Sequence, residues 1–349
     1  MGRPLEKEEK SNNIFYNKSF YALGLDVGGT RLKAAIVDTY GKLYFPKEVP
    51  TEREVKRIIN QILKVINALL MEGEKEGFRD KILGIGIGVT GQVDFSRGRI
   101  IGGIKDKLLG WIGTPLREVI EKEVDMPVLI DNDGKVAALA EYYFGGHGKL
   151  KSLVCLTLGT GVGGGIVING EIYRGAKVAG EIGHMTINFE GPLCGCGHRG
   201  CLEAYVSSSA LISYTRKLLS GRQESKIYEL CKGDLKEITP EIIARAAKEG
   251  DPVALKAIRI MGKYLGIGLA NIVNVLNPEV IVISGGLSKL GELLLEPAKE
   301  ALREYSFGVS ANYTKVVLSS LGSYAGVIGA ATLVFLYFHA LIKGGEFKK

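Results

Sequence analysis

Long apolar runs are scarce in this 349-residue sequence. The longest, Ala330 to Ile342, falls short of the roughly 20 residues that a membrane-spanning helix needs, and His339 interrupts it. The N-terminal MGRPLEKEEKSNN is polar and charged, so it contains no apolar leader region. A cytoplasmic protein with no membrane partner is the expectation. A long basic run is also missing. The net charge is +7, but the lysines are scattered among nearly as many acids, with no basic patch interleaved with aromatics. That pattern describes a mixed, solvated surface and gives no reason to expect a nucleic-acid partner. Cysteine is sparse, at five residues, and three of them are clustered. Cys155 and Cys231 read as isolated core positions, which suits a reducing compartment. Two nucleotide-binding signatures are missing as well. A strand rather than a helix follows the glycine turns, which excludes a dinucleotide fingerprint. Gly148-Lys149 is followed by Leu150 where a Walker A loop needs Ser or Thr, and Tyr143 stands where its first Gly belongs.

What is present centres on Glu181 to Glu203, EIGHMTINFEGPLCGCGHRGCLE. Cys194, Cys196 and Cys201, with His184 upstream, offer three thiolates and one imidazole. That is a complete tetrahedral zinc shell of the structural kind. Gly195, Gly197 and Gly200 let the backbone turn tightly enough to bring the sulfurs onto one ion. Ordinary reduced cysteines with a surface His are the alternative, and the close spacing in a Gly-rich loop favours zinc. Glu181 and Glu203 bracket this loop, so a metal would fix their positions too.

The remaining chain reads as α/β. Residues 1–19 form a polar, flexible arm. Tyr21 to Asp38 is a strand, a Gly28-Gly29-Thr30 turn and a second strand, followed by a hairpin turn at Asp38–Gly41. The backbone of that first turn could cradle phosphate, Asp26 could hold hydrated magnesium, and Thr30 and Lys33 could touch phosphate. A plain hairpin is the competing reading. Glu52 to Met71 has helical apolar spacing. Strand 81–89 ends at Thr90-Gly91-Gln92, at a strand's carboxyl end, where open α/β sheets place ligands. After a helix over 115–124, strand 128–130 runs into Asp131-Asn132-Asp133-Gly134 and a helix over 135–144. Asp133 could take a proton from a substrate hydroxyl and Asn132 could bind the same polyol, or Asp131 or Asp133 could merely cap the helix. Residues 153–173 repeat the layout of 22–45, with Gly159-Thr160-Gly161 at the turn, which suggests two duplicated halves. Helices are expected over 204–220, 240–249 and 252–276. A strand over 280–283 leads to Gly285-Gly286, small enough for a flat adenine or ribose to lie against. A strand over 313–319 and a helix over 325–342 complete the chain.

Taken together, Glu181-x-Gly-His184, the Cys-x-Cys-Gly-x-x-Gly-Cys-x-Glu cluster, Asp26-x-Gly-Gly-Thr30, Leu158-Gly-Thr-Gly-x-Gly-Gly-Gly165 and Asn277-Pro-Glu-x-Ile-x-Ile-x-Gly-Gly286 resemble the ROK family of repressors, open reading frames and sugar kinases. The resemblance covers about residues 21–340. It implies a two-lobed actin-like ATPase fold, a duplicated ribonuclease H-like α/β fold with a cleft between lobes. Residues 20–132 with 324–342 would form the small lobe, and 133–323 the large lobe, with the zinc loop and oligomerisation helices. By the same resemblance Asp133 is the catalytic base toward the sugar 6-hydroxyl. Asn132, Glu181, His184, Glu203 and Gly91 bind the sugar, with His184 also on zinc. Asp26, Gly28, Gly29, Thr30, Lys33, Gly159, Thr160 and Gly161 hold ATP phosphates with Mg2+, and Gly285 and Gly286 lie beside the adenosine. The implied activity is an ATP-dependent hexose kinase, glucose by default. An N-acetylmannosamine kinase or broad hexokinase is the runner-up within the enzymes, and a sugar sensor or repressor stands outside them. Repressor relatives carry a helix-turn-helix domain ahead of Asp26, and about twenty polar residues are too few for one. Two departures bear on the sugar. Lys107 stands where many glucose-specific members have Asn, and Asn132-Asp133-Gly134-Lys135 replaces Asn-Asp-Ala-Asn. Both look similar to N-acetylmannosamine kinases, although Lys107 could simply face solvent. A homodimer or homotetramer is expected.

Overall fold

The computed structural model describes residues 20–103, 108–220 and 224–342. The expected arm over 1–19 and Lys107 lie outside the described residues. The first half of the chain contains strands β1 (Tyr21–Val27), β2 (Arg31–Asp38) and β3 (Leu43–Pro50), helix α1 (Val55–Lys75), strands β4 (Ile82–Val89), β5 (Gln92–Asp94) and β6 (Arg99–Gly102), helix α2 (Leu116–Glu121), strand β7 (Val128–Asn132) and helix α3 (Asp133–Phe144). Then follow β8 (Ser152–Leu158), β9 (Val162–Ile168), β10 (Glu171–Ile172), α4 (Glu203–Val206), α5 (Ser208–Leu219), α6 (Lys226–Leu230), α7 (Pro240–Lys248), α8 (Pro252–Leu276), β11 (Val280–Ser284), α9 (Glu292–Tyr305), β12 (Lys315–Leu318) and α10 (Ala325–Ile342).

The duplication expected from the glycine turns is visible in the strand orders. One sheet runs β3-β2-β1-β4-β7 and the other β10-β9-β8-β11-β12. In the first, β1, β2 and β3 form an antiparallel meander, and β4 and β7 add in parallel beside β1. In the second, β11 lies parallel to β8 and β12 parallel to β11. In each sheet the first three strands of the passage are neighbours in reverse order, and the two later strands add beside the first.

By compactness the chain divides into unit 1 (1–151, 165–179 and 323–349) and unit 2 (152–164 and 180–322). The lobe boundary expected at 132/133 does not coincide with this division, because α3 and residues 165–179 group with unit 1. Strand β1 is buried along nearly its whole length, as both faces of its sheet are covered. One face packs Ile58, Ile62, Ile66 and Leu69 of α1, and the other packs Val136 and Leu139 of α3 with Val327, Leu333 and Phe335 of α10. The backbone of α10 comes so close that a Cβ on Gly24 would strike Val327 O and one on Gly86 would strike Ala330 O. Helix α10 and its preceding turn, Gly322–Ile342, are 21 residues long with a mean hydropathy of 2.0. By length and composition that stretch could cross a membrane, so the apolar segment is longer than the run at 330–342 suggested. Ala325 to Phe335 are all buried, which makes it a core helix of unit 1.

In unit 2, Gly262 and Gly266 of α8 let α9 approach through Pro297, Ala298 and Ala301. Asn277, in the left-handed conformation (φ 41°), caps α8. Two expected elements change. The helix expected over 204–220 is two helices, because Ser207 leaves helical geometry and its Oγ accepts the amide of Ala210, starting α5 afresh. The strand expected from Tyr313 begins at Lys315, since residues 310–313 make a 3-10 turn.

Candidate functional site

In unit 1 the end of β7 sets the first group of residues. Asn132 is the N-cap of α3, its Oδ1 accepting from Lys135 N at 3.2 Å. The cap is therefore neither Asp131 nor Asp133, which leaves Asp133 at the first helical position. Its Oδ1 accepts from Gly134 N at 2.9 Å and from Asn132 Nδ2 at 3.0 Å, and the same Asn132 amide donates to Gly91 O at 3.0 Å. Gly91, Asn132 and Asp133 are thus one connected array, joining the turn after β4 to the start of α3.

Asp26 is the next-to-last residue of β1, directly opposite Lys33 on β2 and beside Gly88 on β4. Burial, and then the Asp133 carboxylate, push its carboxyl up to about 7, with Lys33 opposing. Gly326 of α10 sits against Asp26, where any Cβ would meet the carboxylate. The Gly28–Thr30 turn closes through Gly28 N to Arg31 O at 3.0 Å. Thr30 is exposed. The Lys33 ammonium donates to Ser323 O at 2.9 Å and lies over the Tyr324 ring, which ties it to the start of α10.

In unit 2 the glycine turns after β8 and β11 stand at the carboxyl ends of neighbouring parallel strands, since Ser284 pairs with Thr157. Gly159 N donates to Gly161 O, and Gly159 O accepts both the amide and the hydroxyl of Ser208 at the start of α5. Thr160, Gly285 and Gly286 are exposed. Gly285 has φ +87°, and a Cβ there would strike Leu158. This places Gly159–Gly161 and Gly285–Gly286 together, a small-residue shelf with backbone amides at its rim.

The Cys/His loop is also brought together. The ligand atoms of His184, Cys194, Cys196 and Cys201 all lie within 4.8 Å of one another. Cys196 Sγ is 3.6 Å from Cys201 Sγ, and Cys194 Sγ is 3.9 Å from His184 Nδ1. Zinc–sulfur bonds of about 2.3 Å give tetrahedral edges of roughly 3.8 Å, so the donor set and spacing fit zinc. Bridges Thr186–Cys201 and Leu193–Arg199 frame the loop, and Gly200, at φ +73°, passes so close to Asn188 O that no side chain fits. Burial pushes the Cys194 thiol up to about 12. Glu203, at the first turn of α4, accepts Val162 N through Oε2 at 2.8 Å, and Cys194 Sγ lies 3.5 Å from its Oε1. The Cys/His loop and the β9 backbone therefore orient one carboxylate between them. Glu181 caps the 3-10 turn that carries His184, and its carbonyl accepts His184 N at 3.0 Å.

Sequence reasoning missed a pair of ion pairs in unit 1. Asp131, fully buried, accepts Asn132 N through Oδ1 and the Arg174 guanidinium through Oδ2 at 2.7 Å. Lys177 Nζ donates to Asp94 Oδ2 at 2.7 Å. Nothing in the local sequence marks either pair, because 43 residues separate one and 83 the other.

A ribonuclease H-like sheet present twice, each with a Gly/Thr turn after its first strand, defines the actin-like ATPase class of α/β protein. Within it, the chain belongs to the ROK family, whose pattern matches residues 22–335. It is 36% identical to a glucokinase of Halalkalibacterium halodurans over 328 residues, covering 93% of this chain and 98% of that one. A xylose repressor of Caldicellulosiruptor bescii is 35% identical over 315 residues, which is 89% of this chain and 77% of the repressor. Among solved structures, a ROK family glucokinase from Streptomyces griseus in complex with glucose and AMPPNP superposes with a TM-score of 0.79. It is 34% identical, covering 90% of this chain and 98% of that chain.

Proposed function

We propose that this protein is an ATP-dependent hexose kinase that transfers the γ-phosphoryl of ATP to the 6-hydroxyl of glucose. The observation that carries the reading is the fixed Asp133 carboxylate, held by Gly134 N and the Asn132 amide at the β7–α3 junction. A sugar sensor needs hydroxyl-binding groups but has no use for a carboxylate held in a base's position. In the proposed reaction the 6-oxygen bonds to the γ-phosphorus as the bond to the leaving ADP oxygen breaks. The hydroxyl proton passes to Asp133. Asn132, Gly91, Glu181, His184 and Glu203 bind the sugar hydroxyls, and Glu203 is kept in register by Val162 N. Asp26, Gly28, Gly29, Thr30 and Lys33, with Gly159, Thr160 and Gly161, receive the phosphates, and Gly285 and Gly286 receive the adenosine. Lys33 would exchange its Ser323 carbonyl for a phosphate oxygen.

A hydrated Mg2+ would neutralise charge on the transferring phosphoryl group. Asp26 fits that ion, because burial and then repulsion from Asp133 disfavour its charged form, which a cation would favour. Zinc would be structural, on His184, Cys194, Cys196 and Cys201. The glucokinase similarities support glucose as the acceptor, and the ROK kinase with bound AMPPNP supports ATP as the donor.

The test is ADP release with ATP and magnesium over glucose, mannose, fructose, glucosamine, N-acetylglucosamine and N-acetylmannosamine. Glucose is expected to lead. Asp133→Asn should keep sugar affinity and lose roughly 10²–10⁴-fold in turnover, the range for a general base. Preference for N-acetylmannosamine would reassign the sugar, and sugar binding with no turnover would make the chain a sensor.

A further inference from the structure

Unit 1 contains a cavity of about 520 Å³ that none of the roles above uses. That volume is in the range of small-molecule sites. All its lining residues belong to unit 1. Its wall is divided by chemistry. One side is apolar, from Leu139 of α3 and Leu333 and Leu336 of α10. The other carries Arg174 and Lys177, each paired with one carboxylate.

Counting donors and acceptors decides what the polar side can take. Asp94 Oδ2 accepts Lys177 and its Oδ1 accepts Ser96 Oγ and Arg97 N, and these bonds draw its carboxyl down to about 2. Asp131 likewise uses both oxygens. The cations are not used up. A lysine ammonium has three donors and a guanidinium five. Among the described residues, Lys177 gives one donor, to Asp94, and the Arg174 guanidinium is bonded only to Asp131 Oδ2. Arg174 cannot swing away to find another partner, because its guanidinium lies over the Phe95 ring at 3.8 Å from the centroid. The Lys177 side chain is 53% exposed, so its remaining N–H groups can be reached. The cavity thus presents spare donors opposite an apolar wall, with the Asp94 and Asp131 carboxylates already paired and a third carboxylate, Glu171, exposed.

We propose that this cavity binds a small amphipathic anion, an apolar chain or ring ending in a carboxylate or phosphate. The oxyanion takes donors from Lys177 and Arg174, and the apolar body lies on Leu333 and Leu336. Calorimetric titration with octanoate, octyl phosphate and 1-octanol tests this. Octanoate or octyl phosphate should bind one to one, and whichever binds tighter identifies the head group. 1-Octanol, which has the tail without the charge, should bind at least roughly tenfold more weakly, the cost of losing charge-assisted hydrogen bonds. Lys177→Gln should weaken the anion by about tenfold on the same ground. Leu336→Trp, which fills the apolar end, should abolish binding of all three, with the far-ultraviolet spectrum showing that each variant is folded. No heat with either anion at millimolar concentration, or binding that neither variant changes, would overturn the proposal.

Discussion

Asp26 shows how burial and a neighbouring carboxylate together act on one residue's titration. Its carboxyl lies near 7 when folded, through burial and the nearby Asp133, against about 3.9 in an unfolded chain. Below pH 4 both states are protonated and the residue is neutral in its effect. Between pH 4 and 7 the unfolded chain releases the proton first, so folding loses stability as pH rises. Above 7 the penalty is constant. Three units at 1.36 kcal/mol each set a ceiling of about 4 kcal/mol. Asp26→Asn should therefore melt higher than the parent at neutral pH, with the gap closing toward pH 4. Adding Mg2+ should narrow the gap from the other side. Calorimetric melts across pH check this, and a gap independent of pH would show that the Asp26 carboxyl is not raised. The neighbouring Asp131–Arg174 pair illustrates what one residue's local sequence cannot show. Asp131-Asn132-Asp133 announces a strand-to-helix junction, but which of the three caps, which is held by neighbouring amides and which is buried against a distant arginine depends on the alternation of side chains at the end of β7. Asn132 took the cap because its Oδ1 reaches Lys135 N.

Among elements, the convergence of His184, Cys194, Cys196 and Cys201 was the most legible, since their close spacing lies within a glycine-rich stretch. The fold added a contact that spacing does not show, Cys194 Sγ at 3.5 Å from Glu203 Oε1. Cys196→Ser should lower both thermal stability and the zinc found by elemental analysis. It should also raise KM for the sugar while hydrogen exchange in α8 and α9 stays as in the parent. A metal-free variant of unchanged stability would remove zinc from the account. The glycine turns after β1, β8 and β11 were legible too, because each follows an apolar strand. The break at Ser207 was not. Ser207-Ser208-Ser209 is compatible with a continuous helix, and the decision rests on Ser208 turning back to Gly159. In α10 the sequence shows an apolar stretch but not its destination. Only the small residues facing it on β1 and β4, Gly24 and Gly86, explain how it fits inside unit 1.

For the whole molecule, the duplicated sheet order was foreshadowed by two similar strand–turn–strand passages. The grouping of the C-terminal helix with the first sheet was expected too, whereas the placing of α3 and residues 165–179 in unit 1 was not. Unit 1 is assembled from three separate stretches of chain, and no composition shift or linker marks where one unit hands over to the other.

That assembly has a consequence for how the protein is made. A chain emerging from the ribosome exposes β1, β4 and β7 long before residues 325–335, which cover one face of their sheet, have been synthesised. Unit 2, complete by residue 322, can fold while unit 1 still waits with an open apolar face. Nascent chains arrested with residue 322 just outside the exit tunnel should protect α8 and β11 from protease while β1 and β4 remain cleavable. Protection of the first sheet should appear only once α10 has emerged. The first sheet is begun early and finished late, and through that interval one of its apolar faces is uncovered.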